Sequence, residues 1–292
     1  MNYIAQSEDI NDVSSLLQVN QLPVDFSDPL IDKYPAMKIG VLSAVDFYID
    51  LLADKVLTII EAFPGIDHWV LTAPPLIKAP AAANLLCWRL YDHLDSKISN
   101  RITLSAVTLQ FIGDSQEIAD ETDFKLRYEY SRNSLDERIR ERNRLKDDIN
   151  LRGREFSNKG VIVINDIKVT GTQQEHMKNS FDKVSPAALK WLYILEVDKA
   201  LGIEHPEIEH QINSSRLNTL DEFINVLKSE NHRFTARCIS RVFSYSLDEF
   251  GRLLNEINDQ KKQELYALAE EEGRFSGAFF SDKFSRLRRE CS

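Results

Sequence analysis

The sequence predicts an α/β fold, a parallel sheet flanked by helices, followed by a C-terminal helical subdomain. Three observations predict it. Val161-Ile162-Val163-Ile164 is an unbroken run of β-branched residues, the pattern of a central parallel strand buried on both faces. Short apolar runs at 68–72, 102–109 and 189–197 alternate with helical segments, as parallel strands joined by right-handed crossovers require. From Pro206 onward the pattern is helical, until Gly273 and Gly277 break it.

Taken in order, residues 1–37 read as a lead-in with a short helix at about Ile10 to Val19 and prolines at 23, 29 and 35. Val45, Ile49, Leu52, Val56 and Ile59 recur at helical spacing and predict a helix from Val41 to Phe63, ended by Pro64-Gly65. His68 to Thr72 is a strand. Ala73 to Pro80 is a loop, because Pro74-Pro75 continues neither a ladder nor a helix. Ala81 to Leu94 is a helix with Pro80 tolerated at its start, and Ile102 to Leu109 a strand. Asp114 to Arg127 is polar and expected to be exposed. Ser134 to Arg154 carries mixed charges at helical spacing, the mark of a solvated helix. The α/β domain is expected to span 38–200 and the helical subdomain 201–292, with helices near 206–213, 219–229, 232–243, 246–257 and 259–272.

Composition narrows the function. With 292 residues there is room for one large domain or an α/β domain with a helical appendage. A net charge of −10 argues against a general nucleic-acid binder, which needs a basic face. No apolar run approaches the roughly 20 residues of a membrane helix. Residues 1–9 lack the basic and apolar regions of a secretory signal. Cys87, Cys238 and Cys291 are too far apart for a metal motif or a disulfide framework, so a cytoplasmic setting is expected. His205 and His210 do not share a helix face, and a helix start at Pro206 is expected there rather than a metal site. Without a G-x-S-x-G element, and with Cys87 inside an apolar helix, nucleophilic catalysis is not expected.

The most informative stretch is Val161 to Met177. The buried strand delivers Asn165-Asp166 to the carboxyl edge of the sheet, where open α/β sheets bind ligands. Thr170-Gly171-Thr172 then turns into a helix. Gly171 lets the backbone approach an anion, the helix N-terminus favours negative charge, and the threonine hydroxyls add donors. Neither the Walker spacing nor G-x-G-x-x-G is present. Strand, acid, four-residue step and T-G-T together point to a sugar phosphate, with Asp166 on sugar hydroxyls.

Asn165-Asp166-Ile167-Lys168-Val169-Thr170-Gly171-Thr172 resembles the loop of type I phosphoribosyltransferases that binds 5-phosphoribosyl-1-pyrophosphate (PRPP). In that family a strand leads to two acidic residues, three variable positions, and T-G-x-T or a close variant. The resemblance implies that Asp166 and Asn165 serve the ribose hydroxyls and that Lys168, Val169, Thr170, Gly171 and Thr172 wrap the 5′-phosphate. Asn165 departs from the pattern, since an amide hydrogen-bonds a hydroxyl but carries no charge. The loop after the first core strand grips pyrophosphate in the family, which implies that role for the backbone from Ala73, Pro74 and Pro75 to Lys78, with Lys78 as the cation.

A hood follows the second core strand in the family, matching Phe124 to Leu151. Tyr130-Ser131 and Ser134 to Arg138 resemble a stretch of phosphoribosyltransferase-like proteins encoded beside tellurite-resistance and stress-response genes, and Tyr34 to Gly40 is similar to another of their segments. Tyr130, Ser131 and Arg132 are the hood candidates. Arg127, Arg132 and Lys38 could supply local positive charge. The resemblance covers about residues 34 to 200. It implies Mg2+ as cofactor, carried by PRPP with no protein ligand beyond Asp166, and PRPP and a nucleobase-like small molecule as partners. It implies neither nucleic acid nor membrane, and is compatible with a homodimer. The expected function is transfer of phosphoribose to that acceptor with release of pyrophosphate. The alternatives are a non-catalytic PRPP- or nucleotide-sensing regulator of the same fold, and an interaction protein that uses its helical tail.

Overall fold

A computed structural model describes residues 12–98, 101–111, 118–128, 136, 137, 139, 151 and 153–291. Its centre is a five-stranded, wholly parallel sheet in the order β1-β5-β4-β2-β3. The strands are β1 (Val13–Val19), β2 (His68–Thr72), β3 (Thr103–Val107), β4 (Gly160–Lys168) and β5 (Ala188–Val197). The helices of the α/β part are α1 (Pro29–Asp32), α2 (Tyr34–Lys38), α3 (Leu42–Glu61), α4 (Ala82–Asp95), α5 (Glu121–Tyr128), α6 (Gly153–Phe156) and α7 (Thr172–Phe181).

The central strand shows why its sequence reads as it does. Alternate side chains of a strand face opposite sides of the sheet. Ile162 and Ile164 of β4 join the core formed with α3 and α4, and Val161 and Val163 join Phe156 of α6 and Met177 and Phe181 of α7 on the other side. Both faces are covered, so no polar alternation is left. β2 lies between β3 and β4, and the chain steps from β2 to β3 in one direction and from β4 to β5 in the other. The crevice between β2 and β4 is therefore the switch point where the loops after both strands leave the sheet.

One expected element is wrong. Residues 13–19 form β1 rather than a helix, paired in parallel with β5 from Val13↔Trp191 to Val19↔Val197. Leu16 and Leu17 are adjacent apolar residues that suit a helix in isolation, but the open edge of β5 supplies a ladder for the segment's backbone groups. The polar stretch before the hood also departs from expectation. Ile118 and Phe124 are buried in a second core.

That second core belongs to the tail. Its helices are α8 (Lys199–Glu204), α9 (Ile208–Asn213), α10 (Leu220–Leu227), α11 (Ala236–Ser244), α12 (Leu247–Glu256), α13 (Asp259–Glu272) and α14 (Ser281–Glu290). Capping boxes at Thr219/Glu222 and Ser246/Glu249 start α10 and α12. No helix among the described residues is long and apolar enough to cross a membrane.

The tail clasps the chain between α2 and α3. Leu42 N–H donates to the Asn231 carbonyl at 2.8 Å and Arg233 N–H to the Gly40 carbonyl at 2.9 Å. Gly40 has φ +97° and lies against the Arg233 carbonyl, so a side chain there meets both strain and a clash. His232 is buried in this junction, its Nε2 bonded to the Ile39 carbonyl at 3.0 Å.

Burial, and then the nearby Lys261 charge, push the His232 pKa from its usual 6.5 to about 3. The folded protein thus keeps His232 neutral while the unfolded chain takes up a proton near 6.5. This contribution is complete above that pH and is lost as the pH falls below it, by up to about 1.4 kcal/mol per pH unit. His232→Gln, which keeps a donor for Ile39 but does not titrate, should flatten the stability profile between about pH 6 and 4 in urea unfolding.

Candidate functional site

A cleft of about 210 Å³ opens at the switch point. Its walls are the end of β4, the turn into α7, Pro74 and Pro75 from the loop after β2, Lys38 of α2 and Glu209 of α9. Four distant stretches of sequence therefore meet at the carboxyl edge of the sheet.

The turn has the form its sequence implies. Gly171 is left-handed at φ +77° and stands as the N-cap of α7 without a side-chain capping bond. The Thr170 and Thr172 hydroxyls are 2.9 Å apart. A helix start leaves its first N–H groups without helical partners and carries partial positive charge, so this turn offers donors and a favourable field to an anion. The turn is also supported from below. Val169 is buried, and a Cβ on Gly202 of α8 would overlap its carbonyl oxygen. The Lys168 ammonium pairs with Glu196 at 2.8 Å, while its stem lines the cleft.

Asn165 and Asp166 lie at the base of the cleft, 4% and 8% exposed. The Asn165 amide donates to Gln173 Oε1 at 3.1 Å. Asp166 Oδ2 accepts from the Tyr34 hydroxyl at 3.1 Å and forms a close ion pair with Lys38. Glu209 adds a second carboxylate 3.4 Å from the same ammonium. Burial works against the Lys38 charge, but the two carboxylates outweigh it and the net shift of its pKa is upward. Burial, followed by the Asp166 and Glu209 charges, drives Tyr34 well above its ordinary range, so it remains a neutral donor.

The loop after β2 corrects an expectation. Pro74 and Pro75 line the cleft but have no N–H. Leu76 N–H donates to the Leu109 carbonyl at 3.1 Å. The N–H groups of Lys78 and Ala79 both donate to Glu272 Oε1, at 3.0 and 2.7 Å. Glu272, at the end of α13, is 1% exposed and pairs with Arg274 at 2.8 Å. Of the donors expected to hold pyrophosphate, a carboxylate of the chain itself thus takes the Lys78 N–H, together with that of the neighbouring Ala79. Lys78 is exposed and does not line the cleft, and Ala73 is buried beneath the loop.

Tyr130, Ser131 and Arg132, and the side chain of Arg127, lie outside the described residues. Lys38, expected only as a source of positive charge, sits at the centre of the site. Glu209, Gln173 and Glu272 were not anticipated, nor was Tyr193 of β5, which also lines the cleft. Glu209 lies in His205-Pro206-Glu207-Ile208-Glu209-His210, which reads locally as a helix start and nothing more. Among the described residues, no group of three or more His, Cys, Asp or Glu could hold a metal.

A family model described as PRTase ComF-like matches residues 112–284, which takes in the Thr170-Gly171-Thr172 turn and most of the helical tail. Among solved structures, a hypoxanthine-guanine phosphoribosyltransferase from Bacillus anthracis str. 'Ames Ancestor' matches at 18% identity, over 58% of this chain and 66% of that one, with a TM-score of 0.26. No curated protein matches the chain.

Removing one member of a buried ion pair leaves the other charge unpaired, at a cost of about 3–5 kcal/mol. Lys38→Met should lower unfolding free energy toward that range, and adding Asp166→Asn to it should recover part of the loss. Urea titration of the two single variants and the double variant measures this coupling.

Proposed function

This chain belongs to the ComF-like phosphoribosyltransferase family, and we propose on that premise that it binds PRPP in the cleft between β2 and β4. The 5′-phosphate would sit on the Thr170-Gly171-Thr172 turn and the ribose hydroxyls on Asp166 and Asn165. The observation that carries this reading is the left-handed Gly171 opening α7 beside a buried acid at the sheet's carboxyl edge.

The reaction proposed is transfer of phosphoribose to a nucleobase-like acceptor. The bond from the anomeric carbon to the pyrophosphate oxygen breaks with its electron pair leaving on pyrophosphate, and an acceptor nitrogen forms the new bond. The intervening state resembles an oxocarbenium ion, as in other glycosyl transfers. The chain's part is positioning: the turn fixes the phosphate end, and Asp166 orients the hydroxyls and offers negative charge near the developing cation. To reach the ribose, Asp166 must share its carboxylate with Lys38 and Tyr34. The donor set suits a magnesium ion brought in on PRPP's own phosphates, since among the described residues the only carboxylates lining the cleft are Asp166 and Glu209, both engaged with Lys38. When bound, magnesium supplies charge neutralisation for the departing pyrophosphate.

A second reading is a PRPP- or nucleotide-sensing protein without turnover. It is favoured by the engagement of Asp166 with Lys38 and Tyr34, by the uncharged Asn165, and by Glu272 occupying the loop donors. Both readings share the binding step and differ in the release of pyrophosphate.

Calorimetric titration with PRPP and Mg2+ tests the shared step. Gly171→Asp is a suitable control, because aspartate tolerates left-handed backbone while its charge repels phosphate. Binding by the wild type, weakened at least about tenfold in the variant, is the expected result. A folded wild type that does not bind PRPP would sink both readings. Pyrophosphate release during incubation with PRPP and a panel of purine and pyrimidine bases separates them. In an enzyme, Asp166→Asn should reduce release by about 100-fold or more while the protein stays folded. Binding without release for any base selects the sensor.

A further inference from the structure

A second cavity, of about 270 Å³, lies behind Lys38, between α2, α9 and α11. Its walls bring together Lys38, Arg216, Arg237 and Arg241, and no carboxylate lines it among the described residues. Lys38 pairs with Asp166 and Glu209 on its cleft side, so in a chain of net charge −10 the positive lining of this cavity comes from Arg216, Arg237 and Arg241. Asp32 holds Arg216 at 2.8 Å, and Arg241 bonds the Tyr245 hydroxyl at 3.1 Å and the Leu217 carbonyl. A guanidinium has five donors, so each keeps capacity for an anion. The Arg237 charge acts against that of Lys38, a repulsion that a bound anion would relieve.

Two further features mark the cavity as built for a ligand. The side-chain amide nitrogen and oxygen of Asn213 on its wall are both shielded from solvent and have no hydrogen-bond partner among the described residues. Such a group normally destabilises a fold unless something satisfies it. Leu217, also on the wall, has φ +59°, a conformation unfavourable to a leucine. Cations, an unpaired amide and local strain converge on one concavity.

Lys38 lines both this cavity and the cleft, so an anion here lies one side chain away from Asp166. The loop after β2, by contrast, has given its Lys78 and Ala79 donors to Glu272. We propose that the cavity formed by Lys38, Arg216, Arg237, Arg241 and Asn213 is a diphosphate-binding subsite. Its occupant is either the pyrophosphate of PRPP, a source that rests on the PRPP reading above, or a free diphosphate such as that of a nucleoside diphosphate.

The test is calorimetric titration of the full chain, in Mg2+, with inorganic pyrophosphate, ribose 5-phosphate and PRPP separately. Four proteins are compared: wild type, Arg237→Gln, Asn213→Leu and Gly171→Asp. The wild type should bind pyrophosphate, and Arg237→Gln should weaken it at least about tenfold. Asn213→Leu should also weaken it while leaving thermal stability equal or higher, because it removes a buried unpaired amide; a purely structural Asn213 would lose stability instead. Ribose 5-phosphate should respond to Gly171→Asp and not to Arg237→Gln, which tests the phosphate turn independently. PRPP weakened by Arg237→Gln identifies its own pyrophosphate as the occupant, and PRPP unaffected identifies a free diphosphate. Pyrophosphate that does not bind the folded wild type, binds Arg237→Gln equally well, or is lost as strongly in Gly171→Asp overturns the proposal.

Discussion

The structure turns on the ion pair between Asp166 and Lys38. Asp166 is placed by β4 at the base of a cleft where it is almost shut off from water, and a carboxylate there needs a cation and hydrogen bonds. Both come from α2, through Lys38 and the Tyr34 hydroxyl. That helix has only five residues and cannot hold its own position. The tail holds it instead. Thr235 donates to the Lys38 carbonyl at 3.0 Å, His232 meets Ile39, and Glu209 takes the far side of the Lys38 ammonium. The α/β sheet and the helical tail are thus joined at Lys38, whose ammonium pairs with Asp166 from the sheet and with Glu209 from the tail.

This arrangement resolves an apparent conflict between composition and site. An acidic chain has no long-range attraction for a phosphate ester, so affinity must be local. On the proposed reading the turn at Gly171 would give it through backbone N–H groups and a helix N-terminus, which work at short range whatever the net charge. The tail adds side-chain cations on the other side of Lys38. The family match runs from residue 112 to 284 and so takes in the Thr170-Gly171-Thr172 turn and most of the tail together.

What could be read from the sequence was local. The four β-branched residues of β4 declare a strand covered on both faces, and the T-G-T turn declares a left-handed step into a helix. Capping residues and periodicity delimit most of the tail. The rest depends on contacts across the chain. β1 takes its conformation from the edge of β5, some 178 residues away. Glu272 reaches the loop after β2 across 194 positions, and Lys38 reaches Glu209 across 171. No local pattern distinguishes these acids from solvated ones. The resemblance points to Lys78 by its place after a strand, whereas Pro74 and Pro75 carry no N–H and Glu272 holds those of Lys78 and Ala79.

The most direct test of the account is amide hydrogen exchange across 160–180 with and without PRPP and Mg2+. If the turn holds the 5′-phosphate, the N–H groups of residues 170–173 should exchange more slowly with ligand present, while β1 on the far edge of the sheet is unchanged. Equal exchange at 170–173 under saturating PRPP, or protection confined to another part of the chain, would contradict it.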